Sequence, residues 1–199
     1  MNVNEIMRQY QEGQKDFSAV RLHSADLSRL DLRGADFSNA DLSNCNFSNS
    51  DLSKADFSSA ILDRANFSGA ILRDANFSGA HMANADIRNV QIDNTSFFRA
   101  NLMFAHLCGN DLVRANLQDA KLDWSCLVGS SMTQEQIAAV PQQAMTAIVT
   151  MQQQQAPSGY KSELSNEVVR GYRMKTTEEI IGNNYKFQIV ESKDKKNYC

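Results

Sequence analysis

From Phe17 to Met132 a large apolar residue stands at every fifth position. An amphipathic helix would place such residues 3 to 4 apart, and a half-buried strand would alternate them, so neither element accounts for this stretch. The 24 positions hold only Phe, Leu, Ile or Met. Two residues before each centre the chain is usually small, with Ala at 14 of the 24 positions, and one residue before it is Asp or Asn at 14 of 24. Ser, Arg, Asn and Gly dominate the two positions after the centre. The segment Ala35–Asn44, ADFSNADLSN, shows the consensus A-(D/N)-(L/F)-S-x twice over.

A second period sits on top of the first. Phe17, Phe37, Phe57, Phe77 and Phe97 are spaced by 20, with Leu117 closing the column. Four five-residue segments therefore form one circuit, and residues 20 apart stack. In an extended segment, residues two apart share a face, so the small residue and the centre both point inward. Asp and Asn before the centre suit corners, because their side chains accept backbone N–H bonds in tight turns.

The consensus resembles that of the pentapeptide-repeat family across residues 15–132. The resemblance implies an all-β solenoid, a right-handed quadrilateral β-helix of about six coils. At the inter-strand spacing of about 4.8 Å, it would be a rod roughly 29 Å long. A solenoid has two open ends that need covering. The opening MNVNEIMRQYQEGQ is similar to the helical openings of cytoplasmic cyanobacterial members.

Residues 2–12 are expected to form a short helix, with Asn2 as N-cap and Glu5 three residues on. This helix, in segment 1–14, would lid the first coil. After Met132 the period stops. Thr133-Gln-Glu-Gln136 has the spacing of a capping box, opening a helix that Pro141 ends or kinks. Residues 133–158 thus read as capping and docking helices with a linker, including an apolar stripe over 144–151. Residues 159–199 read as a mixed α/β extension: strands at EVVRGYRM and NYKFQIVE around a short helix TTEEII stopped by Gly182, with Thr176 and Glu179 at capping-box spacing. No family resemblance covers this extension.

The chain has 199 residues and a net charge of −3, which gives no electrostatic footprint for direct nucleic-acid binding. No apolar run is long enough for a transmembrane segment, and no secretory leader is visible. The four cysteines, Cys45, Cys108, Cys126 and Cys199, lack framework spacing, so a reduced, cytoplasmic setting is expected. No phosphate-binding loop, zinc-protease motif or nucleophile elbow is present. Neither catalytic residues nor a cofactor is expected, and the regular Asp residues have a structural explanation. His106, Cys108 and Cys126 fall near one another on the outer face and make a conceivable zinc set with a fourth group, but three unrelated surface residues is the plainer reading, and no metal site is assigned.

The two positions after each centre are polar almost throughout the first four coils. From Phe98 onward Phe98, Met103, Phe104, Cys108, Val113, Trp124 and Val128 occupy them. Phe104 and Trp124 are 20 apart, and Trp124 is the only Trp. Exposed aromatics so grouped mark a contact surface. Phe98, Met103, Phe104, Trp124 and Val128 are therefore the expected partner-binding or tail-docking residues.

The expected function is a non-enzymatic protein–protein interaction scaffold or regulatory adaptor, in a cyanobacterial regulatory or photosynthetic assembly. A homodimer through the same patch is one occupant to consider. The alternative is the DNA mimicry known in this family, directed at a type II topoisomerase. Against it, residues 14–133 carry 14 Asp and 11 Lys or Arg, a net of only −3.

Overall fold

The computed structural model describes residues 1–140, and residues 164–169, 172–181 and 184–190 as backbone strands. Between residues 16 and 131 the chain winds as a four-sided solenoid in which parallel bridges join residues 20 apart, from Asp16↔Asp36 to Asp111↔Ser131. The bonding repeats at each side. Phe37 donates from its backbone N–H to Asp56 O at 2.7 Å, Asn39 to Ser58 O at 2.9 Å, and Asp36 to Lys15 O at 2.7 Å. Ala40 N–H closes the corner onto Phe37 O at 3.1 Å.

Each position of the five has one physical task. The centre and the small residue two before it are buried along the rod. The Asp or Asn one before the centre accepts from the N–H two residues on, as in Ser38 N–H to Asp36 Oδ1 at 2.8 Å and Ser68 N–H to Asn66 Oδ1 at 2.9 Å. The second residue after the centre turns the corner with positive φ, at Asn39, Asn44, Asn49 and most of its equivalents. Gly, Asn and Asp reach that region at least cost, which explains much of the composition there.

The core is a pair of aromatic stacks. Phe17, Phe37, Phe57, Phe77 and Phe97 lie parallel with centroids 4.9–5.6 Å apart. Phe47 and Phe67 stack at 5.1 Å and meet the first column edge-on. Offset and edge-on contacts of this kind add about 0.5–1.5 kcal/mol per pair beyond burial.

Helix α1, Val3–Gln11, covers the first coil. Asn2 caps it by accepting from Glu5 N–H, and Ile6 is fully buried. Tyr10 Oη donates to Arg33 O at 2.9 Å, and the Lys15 ammonium sits over the Tyr10 ring at 3.2 Å. Lys15 thus escapes the inward position that its place in the repeat would assign. Helix α2, Gln134–Ala139, has the reciprocal capping box between Thr133 and Gln136. Gln136 also donates from Nε2 to Leu112 O and Ala115 O, at 2.8 and 2.9 Å, tying the cap to the coil beneath.

The extension differs from the expected mixed α/β unit. It is a three-stranded antiparallel meander: β1 Leu164–Val169, β2 Tyr172–Ile181 and β3 Asn184–Val190. TTEEII lies inside β2, where Thr176 pairs with Ser165 on one side and Phe187 on the other. Two β-branched threonines and two isoleucines suit a pleated strand, and pairing on both edges overrides the capping-box spacing. EVVRGYRM is divided between β1 and β2 rather than forming one strand. The apolar stripe over 144–151 lies outside the described residues.

Candidate functional site

The ladder has one missing rung. The fourth side bridges Asp31, Asp51, Ile71 and Gln91 in succession, but Gln91 and Asp111 are not bridged, although Asp111↔Ser131 follows. Asn110 fills the gap. It is buried in a position usually held by Ala, and all its polar groups are used. Its Nδ2 donates to Ile87 O at 2.6 Å and Leu107 O at 2.8 Å, and its Oδ1 accepts Val90 N–H at 3.0 Å. Its own N–H donates to Ser130 Oγ at 3.2 Å. A bond within the core and a local distortion of the ladder are thus present together. A side-chain amide stands in for backbone pairing that the coil does not make here.

Beyond that rung the outer surface changes. Phe104 is 47% exposed and Trp124 39%, and both hold the corner position with φ of 59° and 60°. Leu102 N–H donates to Lys121 O and Phe104 N–H to Asp123 O, so the two aromatics stack on the second side in successive coils. At the other corners with positive φ stand Gly, Ala, Ser, Asn, Asp, Lys and Arg. A bulky aromatic in this left-handed region is an outlier, held there against a cost of about 1–2 kcal/mol.

The residues expected to form one patch divide among neighbouring sides. Met103, Phe104 and Trp124 share the second side. Phe98 lies on the side before, half-buried beneath the Arg99 guanidinium, 4.6 Å from its ring centroid. Val128, 36% exposed, lies on the side after, and Val113, 46% exposed, on the fourth.

The cysteines correct the expectation of four reduced thiols. Cys108 and Cys126 form a disulfide with Cα atoms 5.7 Å apart. This bond takes both sulfurs out of the conceivable zinc set, although His106 does bridge Cys126 on the ladder. Among the described residues no group of three or more His, Cys, Asp or Glu is placed to hold a metal ion. Cys45 is a buried free thiol that donates to Leu22 O at 2.6 Å, and burial pushes its pKa up to about 11. Sequence spacing held the signal for the disulfide, since it places Cys108 beside Cys126, but spacing alone does not distinguish a bridge from ligation or from two unrelated surface thiols.

The acidic residues are engaged in structure. Asp16, Asp36 and Asp56 form one column, and each accepts a backbone N–H from the serine two residues on. Others face arginines: Asp31 with Arg33 at 2.6 Å, Asp86 with Arg88 at 2.6 Å, Asp93 with Arg73 at 3.4 Å and Asp119 with Arg99 at 3.5 Å. The side-chain hydrogen bond from Arg33 holds the Asp31 carboxyl below the usual carboxylate range, and Arg88 does the same for Asp86. No helix among the described residues is long and apolar enough to cross a membrane.

Residues 20–97 match the family model for a pentapeptide repeat region, and residues 95–134 match the model for pentapeptide repeats in eight copies. Among solved structures, a pentapeptide repeat protein of the Arabidopsis thaliana thylakoid lumen is 26% identical, with TM-score 0.42, over 56% of this chain and 74% of that one. HetL, involved in heterocyst differentiation regulation in the cyanobacterium Nostoc sp. strain PCC 7120, is 30% identical, with TM-score 0.33, over 66% of each chain. Rfr23 from the cyanobacterium Cyanothece 51142 is 25% identical, with TM-score 0.40, over 66% of this chain and 95% of that one. No curated protein matches the chain.

Proposed function

The chain belongs to the pentapeptide-repeat proteins over residues 20–134, and we propose that it is a non-enzymatic interaction scaffold or adaptor that binds a protein partner through Phe104 and Trp124. The observation that carries this reading is the backbone. Two large aromatics are kept exposed in a conformation that disfavours them, at corners where smaller or polar residues serve elsewhere. A contact surface supplies a reason for that choice, since buried aromatics dominate interface energetics. Met103 extends the same side, and Phe98 and Val128 rim it from the neighbouring sides. In this role the rod is right-handed, about six coils long, and works in a cyanobacterial cytoplasm, in a regulatory or photosynthetic assembly.

The test is capture from native lysate with the full chain, with a chain ending at residue 140, and with the Phe104→Ala/Trp124→Ala variant. A partner held by the full chain and lost from the double variant supports the proposal; identical captures overturn it. Sedimentation of the purified chain checks whether a second copy is the occupant. DNA mimicry is disfavoured by the acidic side chains engaged in corners and arginine pairs. A gyrase supercoiling assay is accordingly expected to show no dose-dependent inhibition.

A further inference from the structure

The solenoid has a side-chain rule that its backbone ladder dictates. The first residue after a centre in one coil meets the residue before the centre one coil on, 18 positions later. His23 Nε2 lies 2.8 Å from Asp41 Oδ2, Arg33 Nε 3.8 Å from Asp51 Oδ2, and Ser78 Oγ 3.0 Å from Ser96 Oγ. Cys108 and Cys126 occupy the same pair of positions and are also 18 apart. The coil geometry thus brings these two side chains together without any special loop.

The place of the bond matters. It joins the coil Phe97–Leu112 to the last coil, Leu117–Met132, and closes a ring of chain that contains Trp124. That last coil has ladder partners on one side only, and its cap, α2, is six residues long against nine for α1. The missing rung between Gln91 and Asp111 lies one coil further back, on the far face of the coil Phe97–Leu112, so the two stapled coils join the rest of the rod through an incomplete ladder. Terminal repeats of a solenoid open first, and opening spreads until an interface resists it. Both bridged cysteines are only half-buried, whereas Cys45 is sealed in the core.

We propose that Cys108–Cys126 is a redox-cleavable staple: it holds the C-terminal coils to the rod when oxidised, and its reduction loosens residues 107–132 while the earlier coils stay closed. The co-reactant is a dithiol. One of its thiolates attacks a bridge sulfur, forming a mixed disulfide and releasing the other cysteine as a thiolate that takes up a proton. The second thiol of the reductant then resolves the mixed disulfide, so the protein gains two electrons and two protons and the reductant leaves as a disulfide. Closing a ring of this size favours the closed form by a factor on the order of a hundred in the chain-entropy model.

The experiment is hydrogen exchange followed by mass spectrometry on the full chain, air-oxidised and then treated with dithiothreitol. Peptide mapping after alkylation reports the state of the bridge. The expected result is a cross-linked peptide before treatment and, after it, exchange at least tenfold faster over 107–132 with no change over 37–87. Cys45→Ser is expected to respond like the unaltered chain. Cys108→Ser/Cys126→Ser is expected to exchange like the reduced form under both conditions; should it fail to fold, the reduced natural chain carries the test alone. Absence of the cross-linked peptide, or exchange over 107–132 unchanged within twofold after complete reduction, overturns the proposal.

Discussion

The coils from Phe17 to Ile92 and those from Phe97 to Met132 follow one rule with different strictness. In the first group the rungs are complete, the core is filled by stacked phenyl rings, and the corners are small or polar. In the second group the phenyl column ends at Phe97, one rung is replaced by an amide side chain, two corners carry aromatics, and a disulfide joins neighbouring coils. The first group spends its sequence on shape. The second departs from the rule at several positions close together, and that concentration is what points to use rather than drift.

The largest loss of stability is expected on the regular side. Phe57→Ala removes a ring stacked at 5.3 and 4.9 Å on Phe37 and Phe77 and is expected to cost about 4 kcal/mol in denaturant unfolding. Leu122→Ala, in the last coil, is expected to raise local exchange over 107–132 more than it moves the main transition. Equal effects of the two would erase the distinction. Asn110→Ala strands the Ile87 carbonyl and the Val90 N–H in the core, Leu107 O keeping its bond from Ser130 Oγ, and is expected to cost about 2–3 kcal/mol, with faster exchange centred on residues 87–112. Phe104→Asn should work in the opposite direction. Asn accepts the left-handed corner more readily, so a gain of about 0.5–1 kcal/mol is expected together with loss of the partner. A destabilised Phe104→Asn would mean that the ring packs for stability, not for contact.

The smallest effect is electrostatic. Asp31 and Asp86 have carboxyls held below their ordinary range by Arg33 and Arg88. Their contribution is present above the unfolded-state value near pH 3.9 and is lost as pH falls through the lower folded value. The melting temperature should therefore decline below about pH 4, and Asp86→Asn should flatten part of that decline.

The solenoid was legible in the sequence because each of the five positions has a single task and the task repeats. Phe37 and Phe57 could be placed in one column from spacing alone. Asn2, Thr133 and Gln136 announced the caps, since capping depends on neighbours three residues away. The details that failed to show were of two kinds. TTEEII carried local signals for both helix and strand, and pairing with β1 and β3, remote in sequence, decided between them. Cys108 and Cys126 were placed together correctly, but the five-residue pattern does not say whether adjacent sulfurs bind a metal or each other. The missing rung had its trace in Asn110, yet a single buried amide does not reveal which backbone groups it will satisfy.

The 20-residue register turns sequence length into angle. Each five-residue segment advances the chain by a quarter turn, so the direction in which Phe104 and Trp124 face, seen from α1, is fixed by how many segments lie between. Removing one segment from the regular coils would swing that corner to the adjacent side of the rod. Removing four would return it to its original heading, one coil nearer the N-terminal cap. The molecule is in this sense a dial with four settings, and the chain upstream of Phe98 determines which of them is in use.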